Sequence, residues 1–242
     1  MQYNNEKPLI CNIEGVIFDF NGVLLFDSDI QEQAWNEIAL RYRGTLLTEY
    51  EKRNVIHGKT TQAICEFLLG RSLSHIEARK MINGKEASYR EECLRRKAVG
   101  AFTLSPGASD LLDYLVKYNI SHTIATSSGL EDLDFFIEHL DLERWFDRSR
   151  IMYNNGTYPG KPDPAIFLKA AGSMGTPTAN CLVFEDALSG IKAAMAANIG
   201  AIYGVGFMID KSSSYRLAGL VKTLAEVPTE IFKAKSQMGS QH

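Results

Sequence analysis

Asp19, Thr126 and the pair Glu185-Asp186 share one setting in this chain: each follows a run of apolar residues. Val16-Ile17-Phe18 leads to Asp19, Ile124-Ala125 to Thr126, and Leu182-Val183-Phe184 to Glu185-Asp186. A parallel strand buried on both faces reads as such a run. Its carboxyl end borders the crevice where open α/β sheets hold ligands. A fourth segment, Gly160-Lys161-Pro162-Asp163-Pro164, offers a lysine from a loop. These groups suit phosphoryl transfer. Asp19 is a carboxylate able to attack phosphorus. Thr126 offers a hydroxyl to a phosphate oxygen, and the backbone N–H groups of Ser127 and Ser128 extend that cradle. Lys161 sets positive charge against the carboxylates and the transferred group. Glu185 and Asp186 are oxygen ligands of the kind Mg²⁺ takes.

The elements that must position these residues follow from periodicity and punctuation. Residues 9 to 19 read as a strand rich in Ile, Val and Phe. From about 29 to 98 the character changes to helical runs. Ile30, Ala34 and Ile38 recur at helical spacing, with Trp35 one face over, and Thr60 to Leu69 and His75 to Arg96 read the same way. Ser74 with Glu77 three residues on forms a capping box for the last of these. No strand is evident in this stretch, which is read as an all-helical insert. After it, a helix starts at Ser105-Pro106-Gly107-Ala108 and ends near Tyr118-Asn119. A strand follows over His122–Thr126, then a helix over Glu131–His139. Asn154-Asn155-Gly156 is a tight turn. Pro164 to Ala171 is a helix with Pro164 at its first position. Cys181–Phe184 is a strand, Ser189–Ala197 a helix and Ala201–Val205 a strand. Alternation at these lengths implies right-handed crossovers and a parallel sheet.

Bulk properties fit that frame. The 242 residues suffice for one large α/β domain or a core with a smaller second domain, and 45% apolar residues supply its interior. A net charge of −3 gives no electrostatic ground for a nucleic-acid partner. Cys11, Cys65, Cys93 and Cys181 are scattered without zinc or redox spacing, so free thiols in a reducing compartment are expected. The first eight residues lack the apolar stretch of a secretory signal, and no run is long enough to span a bilayer. The expectation is a cytoplasmic protein with a frayed tail from about Lys233.

The four segments, in this order and with a helical insert between the first two, resemble the haloacid dehalogenase superfamily, in particular the helical-cap branch of phosphatases and β-phosphoglucomutases. Singly, each residue has an ordinary explanation. A strand-end aspartate caps or turns the chain, a loop lysine is solvated, a strand threonine is β-branched filler, and Glu185-Asp186 caps a helix from Ala187. Four ordered matches in the expected contexts outweigh those explanations. The resemblance implies a Rossmann-like parallel-sheet core over 1–28 and 99–242, with an inserted helical cap over 29–98. It implies an aspartyl-phosphate on Asp19. It also implies Mg²⁺ held by Asp19, the backbone carbonyl of Asn21, Asp186 directly, and Glu185 directly or through water. In the cap, His57-Gly58-Lys59-Thr60 falls where relatives carry a substrate loop. Gly58 would permit close approach of the backbone there, and Lys59 would meet an anionic group.

Three positions depart from the family pattern. Family phosphatases carry a second aspartate two residues after the nucleophile, which protonates the leaving oxygen and then activates water. Here that position is Asn21, whose amide performs neither transfer, and such transfers are worth about 10²–10⁴-fold. The residue seven after the nucleophile is Phe26, with Asp27 one later, as if one residue were inserted at Leu25-Phe26. The cap histidine of β-phosphoglucomutases is replaced by Gln31, which disfavours a sugar phosphomutase. The reading is therefore a Mg²⁺-dependent phosphatase-like hydrolase of a small phosphorylated metabolite, acting as a monomer or small homo-oligomer without nucleic-acid or membrane partners. Two alternatives need no acid at position 21: a phosphonatase- or dehalogenase-type hydrolase, and a phosphometabolite-binding protein of low activity. Thr61 stands where phosphonatases carry their cap lysine, and the retained acidic pair argues against a metal-free dehalogenase.

Overall fold

In the computed structural model, residues 13–56, 61–206 and 217–232 are described. Strand β1 is Gly15–Phe18. Helices α1 (Ser28–Arg43), α2 (Glu49–Glu51), α3 (Thr61–Leu69) and α4 (His75–Ala98) follow, with a π-helical turn, Lys52–Ile56, after α2. Then come α5 (Ala108–Lys117), β2 (Ser121–Ile124), α6 (Leu130–Leu140), α7 (Ala165–Met174), β3 (Cys181–Glu185), α8 (Leu188–Ala196), β4 (Ala201–Val205) and β5 (Gly219–Val221). The chain divides into two compact units, Met1–Phe26 with Leu104–His242, and Asp27–Thr103.

The first unit is built on a five-stranded sheet in the order β2-β1-β3-β4-β5, and every pairing is parallel. All residues of β1, β3 and β4 are buried, which is why their sequences read as apolar runs and not as alternation. Ile17, Val183 and Ile202 pack with Ile166, Phe167 and Ala170 of α7 and with Ile191 and Ala194 of α8. Neighbouring strand positions carry the aromatic rings. Phe18 stacks on Phe184 at 5.2 Å between centroids and meets Phe146 edge-on. Phe20, just beyond β1, stacks on Phe136 of α6. From β1 the order runs to β2 on one side and to β3 on the other, so the strand order reverses at β1. Crevices of doubly wound sheets form at such a reversal.

The second unit contains α1 to α4 and no strand among its described residues. Its interior joins Trp35, Ile38 and Ala39 of α1 to Ile64, Cys65 and Leu68 of α3 and to Ala78 and Met81 of α4. The expected capping box forms: Ser74 Oγ accepts from Glu77 N–H and Glu77 accepts from Ser74 N–H. A second box, Thr48 with Glu51, opens α2. Gln31 does not simply lie on a polar helix face. Its Nε2 donates to Asp27 Oδ2 at 2.9 Å, and the same oxygen accepts from Tyr89 Oη at 2.7 Å. Asp27 is buried, so the carboxylate one residue late in the pattern is spent on this internal network.

Several sequence boundaries shift for physical reasons. β1 stops at Phe18 and not at Asp19, because the carbonyl of Phe20 takes the N–H groups of Val23, Leu24 and Leu25 and turns the chain. β2 stops at Ile124 and not at Thr126, because Thr126 N–H bonds the carbonyl of Met152. Pro164 is the N-cap of α7, so the helix begins at Ala165, one position later than expected. Strand β5 was not anticipated; its three residues are too short for a pattern. Cys65, Cys93 and Cys181 are free and buried. Cys11, the 57–60 loop with Gly58 and Lys59, and the tail beyond Phe232 lie outside the described residues. Among the described residues, no helix is long and apolar enough to cross a membrane.

Candidate active site

Register alone brings the first carboxylates together. Phe18 pairs with Ile124 on one side and with Phe184 on the other. Asp19, Ala125 and Glu185 are the next residues on their three strands. The ladder continues that far: Asp19 N–H donates to Phe184 O at 3.0 Å, and Ala125 N–H to Phe18 O at 2.8 Å. Oxygens of Asp19, Glu185 and Asp186 lie within 4.8 Å of one another. Lys161, from the loop before α7, reaches into this cluster. Its Nζ donates to Asp19 Oδ1 at 2.6 Å and to Glu185 Oε2 at 2.8 Å. The same nitrogen lies 5.1 Å from the centre of the Phe167 ring. Asp19, Glu185 and the Lys161 side chain are all buried.

Two glycines make the crowding possible. A methyl group on Gly190, in the first turn of α8, would sit 2.0 Å from Glu185 Cδ. A methyl on Gly22 would sit 2.0 Å from Asp186 Oδ2, and Gly22 also has φ of +85°, a left-handed conformation that side-chain-bearing residues rarely adopt. Glu185 Oε1 also accepts Ala187 N–H at 3.1 Å, so the residue serves both the cluster and the entry to α8.

Three carboxylates face one ammonium, and the electrostatics show the imbalance. Burial, opposed by Lys161 and reinforced by Asp19, pushes the Glu185 carboxyl above its ordinary range. Burial followed by the charges of Asp19 and Glu185 pushes the Asp186 carboxyl up as well. Burial alone would lower the Lys161 ammonium, but Asp19 and Glu185 outweigh it and hold the lysine protonated. A divalent cation would answer the remaining negative charge, and an all-oxygen donor set is of the kind that suits Mg²⁺.

The residues expected to cradle phosphate form a second group. Thr126 is buried, and its Oγ1 accepts the N–H of Ser128 at 3.1 Å. The Ser128 hydroxyl in turn donates to Asn21 Oδ1 at 2.9 Å. Ser128 N–H, expected to point at a phosphate, is thus engaged with Thr126. Ser127 follows Thr126 in the same turn. Asn21 is half-buried in the tight loop after β1, where Gly22 N–H donates to Leu25 O at 2.7 Å. The structure therefore gathers Asp19, Lys161, Glu185 and Asp186, and ties Asn21 to Ser128 and Thr126. Sequence reading missed two contributions: the room Gly190 leaves for Glu185, and the link from Ser128 to Asn21. A small residue four positions after an acidic pair was the visible trace of the first. Nothing local marks the second, whose partners are separated by 107 positions.

Comparison with known proteins identifies the family. The chain is 27% identical over 228 residues to the phosphorylated carbohydrates phosphatase of Thermotoga maritima, covering 93% of this chain and all of that one. It is 28% identical over 200 residues to the β-phosphoglucomutase of Bacillus subtilis, covering 80% and 84%. A solved structure of a HAD hydrolase, family IA, variant 3, from Entamoeba histolytica superimposes with a TM-score of 0.83 at 35% identity, covering 90% of this chain and 97% of that one. The haloacid dehalogenase-like hydrolase family matches residues 13–198, and the chain belongs to that family.

Proposed function

We propose that this enzyme is a Mg²⁺-dependent phosphatase-like hydrolase acting on a small phosphorylated metabolite through an aspartyl-phosphate on Asp19. The observation that carries the proposal is the ammonium of Lys161 shared between Asp19 and Glu185, in a three-carboxylate cluster at the strand ends. Asp19 attacks phosphorus, and Lys161 offsets the charge of the transferred group and keeps the attacking carboxylate aimed. Asp186 and Glu185, with Asp19 and the carbonyl of Asn21, would hold the cation. When bound it would neutralise phosphate charge and orient the group in line with Asp19. Thr126 and the Ser127-Ser128 turn bind the phosphate oxygens. The helical unit would serve as the cap, and Gly58 and Lys59 would belong to its substrate loop, as the family pattern implies. The Thermotoga maritima relative is named a phosphorylated carbohydrates phosphatase, which supports a compact phosphorylated substrate.

The test is hydrolysis of p-nitrophenyl phosphate with Mg²⁺. Its leaving group is a stable anion, so the amide at position 21 does not mask the chemistry. Asp19→Asn and Lys161→Met should each abolish turnover, and chelation should do so reversibly. Turnover that survives Asp19→Asn would end the proposal. Asn21 also favours a second reading, a hydrolase whose substrate needs no proton at its leaving group. A phosphonate processed faster than any phosphate ester would select it.

A further inference from the structure

We infer that this site takes its phosphoryl group from an acyl phosphate and passes it to another oxyanion more readily than to water. The inference rests on the aspartyl-phosphate reading of Asp19 and names the donor and acceptor class for that reading.

Asn21 carries the argument. It stands two residues beyond Asp19, in a loop closed by the convergence of three N–H groups on the carbonyl of Phe20. Its Oδ1 accepts the hydroxyl of Ser128 at 2.9 Å, and Ser128 is anchored through its own N–H to Thr126. The amide is therefore oriented by the phosphate cradle. An amide offers hydrogen bonds but takes up or releases no proton near neutral pH. Among the described residues of this unit, Asp19, Lys161, Glu185 and Asp186 form one cluster of charged groups at the site. Each already has a task. Asp19 is the attacking group, Lys161 is an ammonium bonded to two carboxylates, and the acidic pair faces the cation. None of these four groups is left to move a proton to or from the substrate.

Two restrictions follow, one on each half-reaction. In the first, an Asp19 oxygen gives an electron pair to phosphorus while the bond from phosphorus to the leaving oxygen breaks. That oxygen keeps the pair. With no acid to protonate it, it must be stable as an anion, as a carboxylate is and an alkoxide is not. In the second, an acceptor oxygen attacks the same phosphorus, the bond to Asp19 breaks, and its pair returns to the aspartate. Water or an alcohol must lose a proton as it attacks, whereas a carboxylate has none to lose. The aspartyl-phosphate is itself an acyl phosphate, so exchange with a second carboxylate is close to isoenergetic. Donor and acceptor therefore belong to one class, and every step closes without a proton.

The experiment uses the full chain with Mg²⁺ and acetyl phosphate, with glycerol phosphate as the alkyl comparator. Three quantities are read: a hydroxylamine-sensitive phosphoryl group on Asp19, exchange of isotopically labelled acetate into acetyl phosphate, and release of inorganic phosphate. In the unmodified chain, acetate exchange should outrun phosphate release. In Asn21→Asp, release should outrun exchange. The preference for acetyl over glycerol phosphate should also shrink by about 10²-fold or more in that variant, which removes the intrinsic reactivity of the anhydride from the comparison. The exchange-to-release ratio is measured within the unmodified chain, so it does not depend on the variant folding. Glycerol phosphate hydrolysed by the unmodified chain as efficiently as by Asn21→Asp would overturn the inference alone. So would phosphate release faster than exchange in the unmodified chain. No phosphoryl group on Asp19 from either donor, in either protein, would overturn the aspartyl-phosphate reading as well.

Discussion

Lys161 holds two buried carboxylates that would otherwise repel each other, at 2.6 Å from Asp19 and 2.8 Å from Glu185. Removing one member of such a group leaves uncompensated buried charge and costs about 3–5 kcal/mol. Lys161→Met should therefore lower the unfolding temperature clearly in chelator, and Mg²⁺ should restore more stability to it than to the unmodified chain. Thermal melts with and without the cation measure both, and a variant as stable as its parent in chelator would remove Lys161 from this role. Gly190 acts by size alone. Gly190→Ala places a methyl 2.0 Å from Glu185 Cδ, and the carboxylate must shift from its present place beside Lys161. A tenfold or larger loss of Mg²⁺ affinity is expected by calorimetry, a free-energy change of roughly 1.4 kcal/mol or more. Adding Glu185→Asp, which draws the carboxylate back by one methylene, should recover part of it. A double variant no better than Gly190→Ala would show that the methyl acts elsewhere. Four ordered segments that match one family pattern were enough to single out Asp19, Lys161, Glu185 and Asp186. They were not enough for Gly190 or for Ser128 against Asn21, because close approach between distant segments leaves no mark on either segment.

Helix starts are the clearest case of local chemistry setting an element. Ser74 and Glu77 were recognisable because a long periodic helix follows them. Thr48 and Glu51 form the same box ahead of a three-residue helix that offers no periodicity to notice. Glu51 does more than cap. Arg43, at the end of α1, donates two parallel hydrogen bonds to it at 2.7 and 2.8 Å. That pairing, with the Thr48 N–H, draws the Glu51 carboxyl down to about 2. A carboxyl held below its ordinary value favours the folded state above that value, and the benefit is lost as pH falls through the folded one. Glu51→Gln should thus be less stable than its parent at neutral pH, by on the order of 1 kcal/mol after allowance for solvent screening. The difference should vanish as pH drops from about 4.5 toward about 2. Urea unfolding of both proteins across that range checks it, and a gap that stays constant with pH would assign the effect to packing. The shifts at the ends of β1 and β2 and at Pro164 share one origin. Each is decided by a backbone bond to a distant carbonyl or by the turn beside it, and local propensity sees neither.

The fold class was open to reading from the alternation of apolar runs and helical periods, since both buried faces of a parallel sheet must be covered by helices. The order of the strands was not, because β1 has neighbours drawn from far along the chain. Gly15 pairs with Ser121 on one side and with Cys181 on the other. The helical segment between them leaves and rejoins the first unit at one place. Ser105 N–H donates to Leu24 O at 2.8 Å and its hydroxyl to Val23 O at 2.6 Å, so entry and exit lie side by side. That placement of β1 bears on the order of events during synthesis. The strand leaves the ribosome before the rest of its sheet and cannot complete its pairing until β3 has emerged, whereas α1 to α4 find their partners among themselves. Nascent chains stalled once Thr103 is clear of the exit tunnel should resist protease within the helical segment. The same chains should still be cut near β1, which gains protection only when residue 185 and those just after it are exposed. The apolar strand that leads to Asp19 thus stays incompletely paired until β3 is made, which gives a holding chaperone time to act on it.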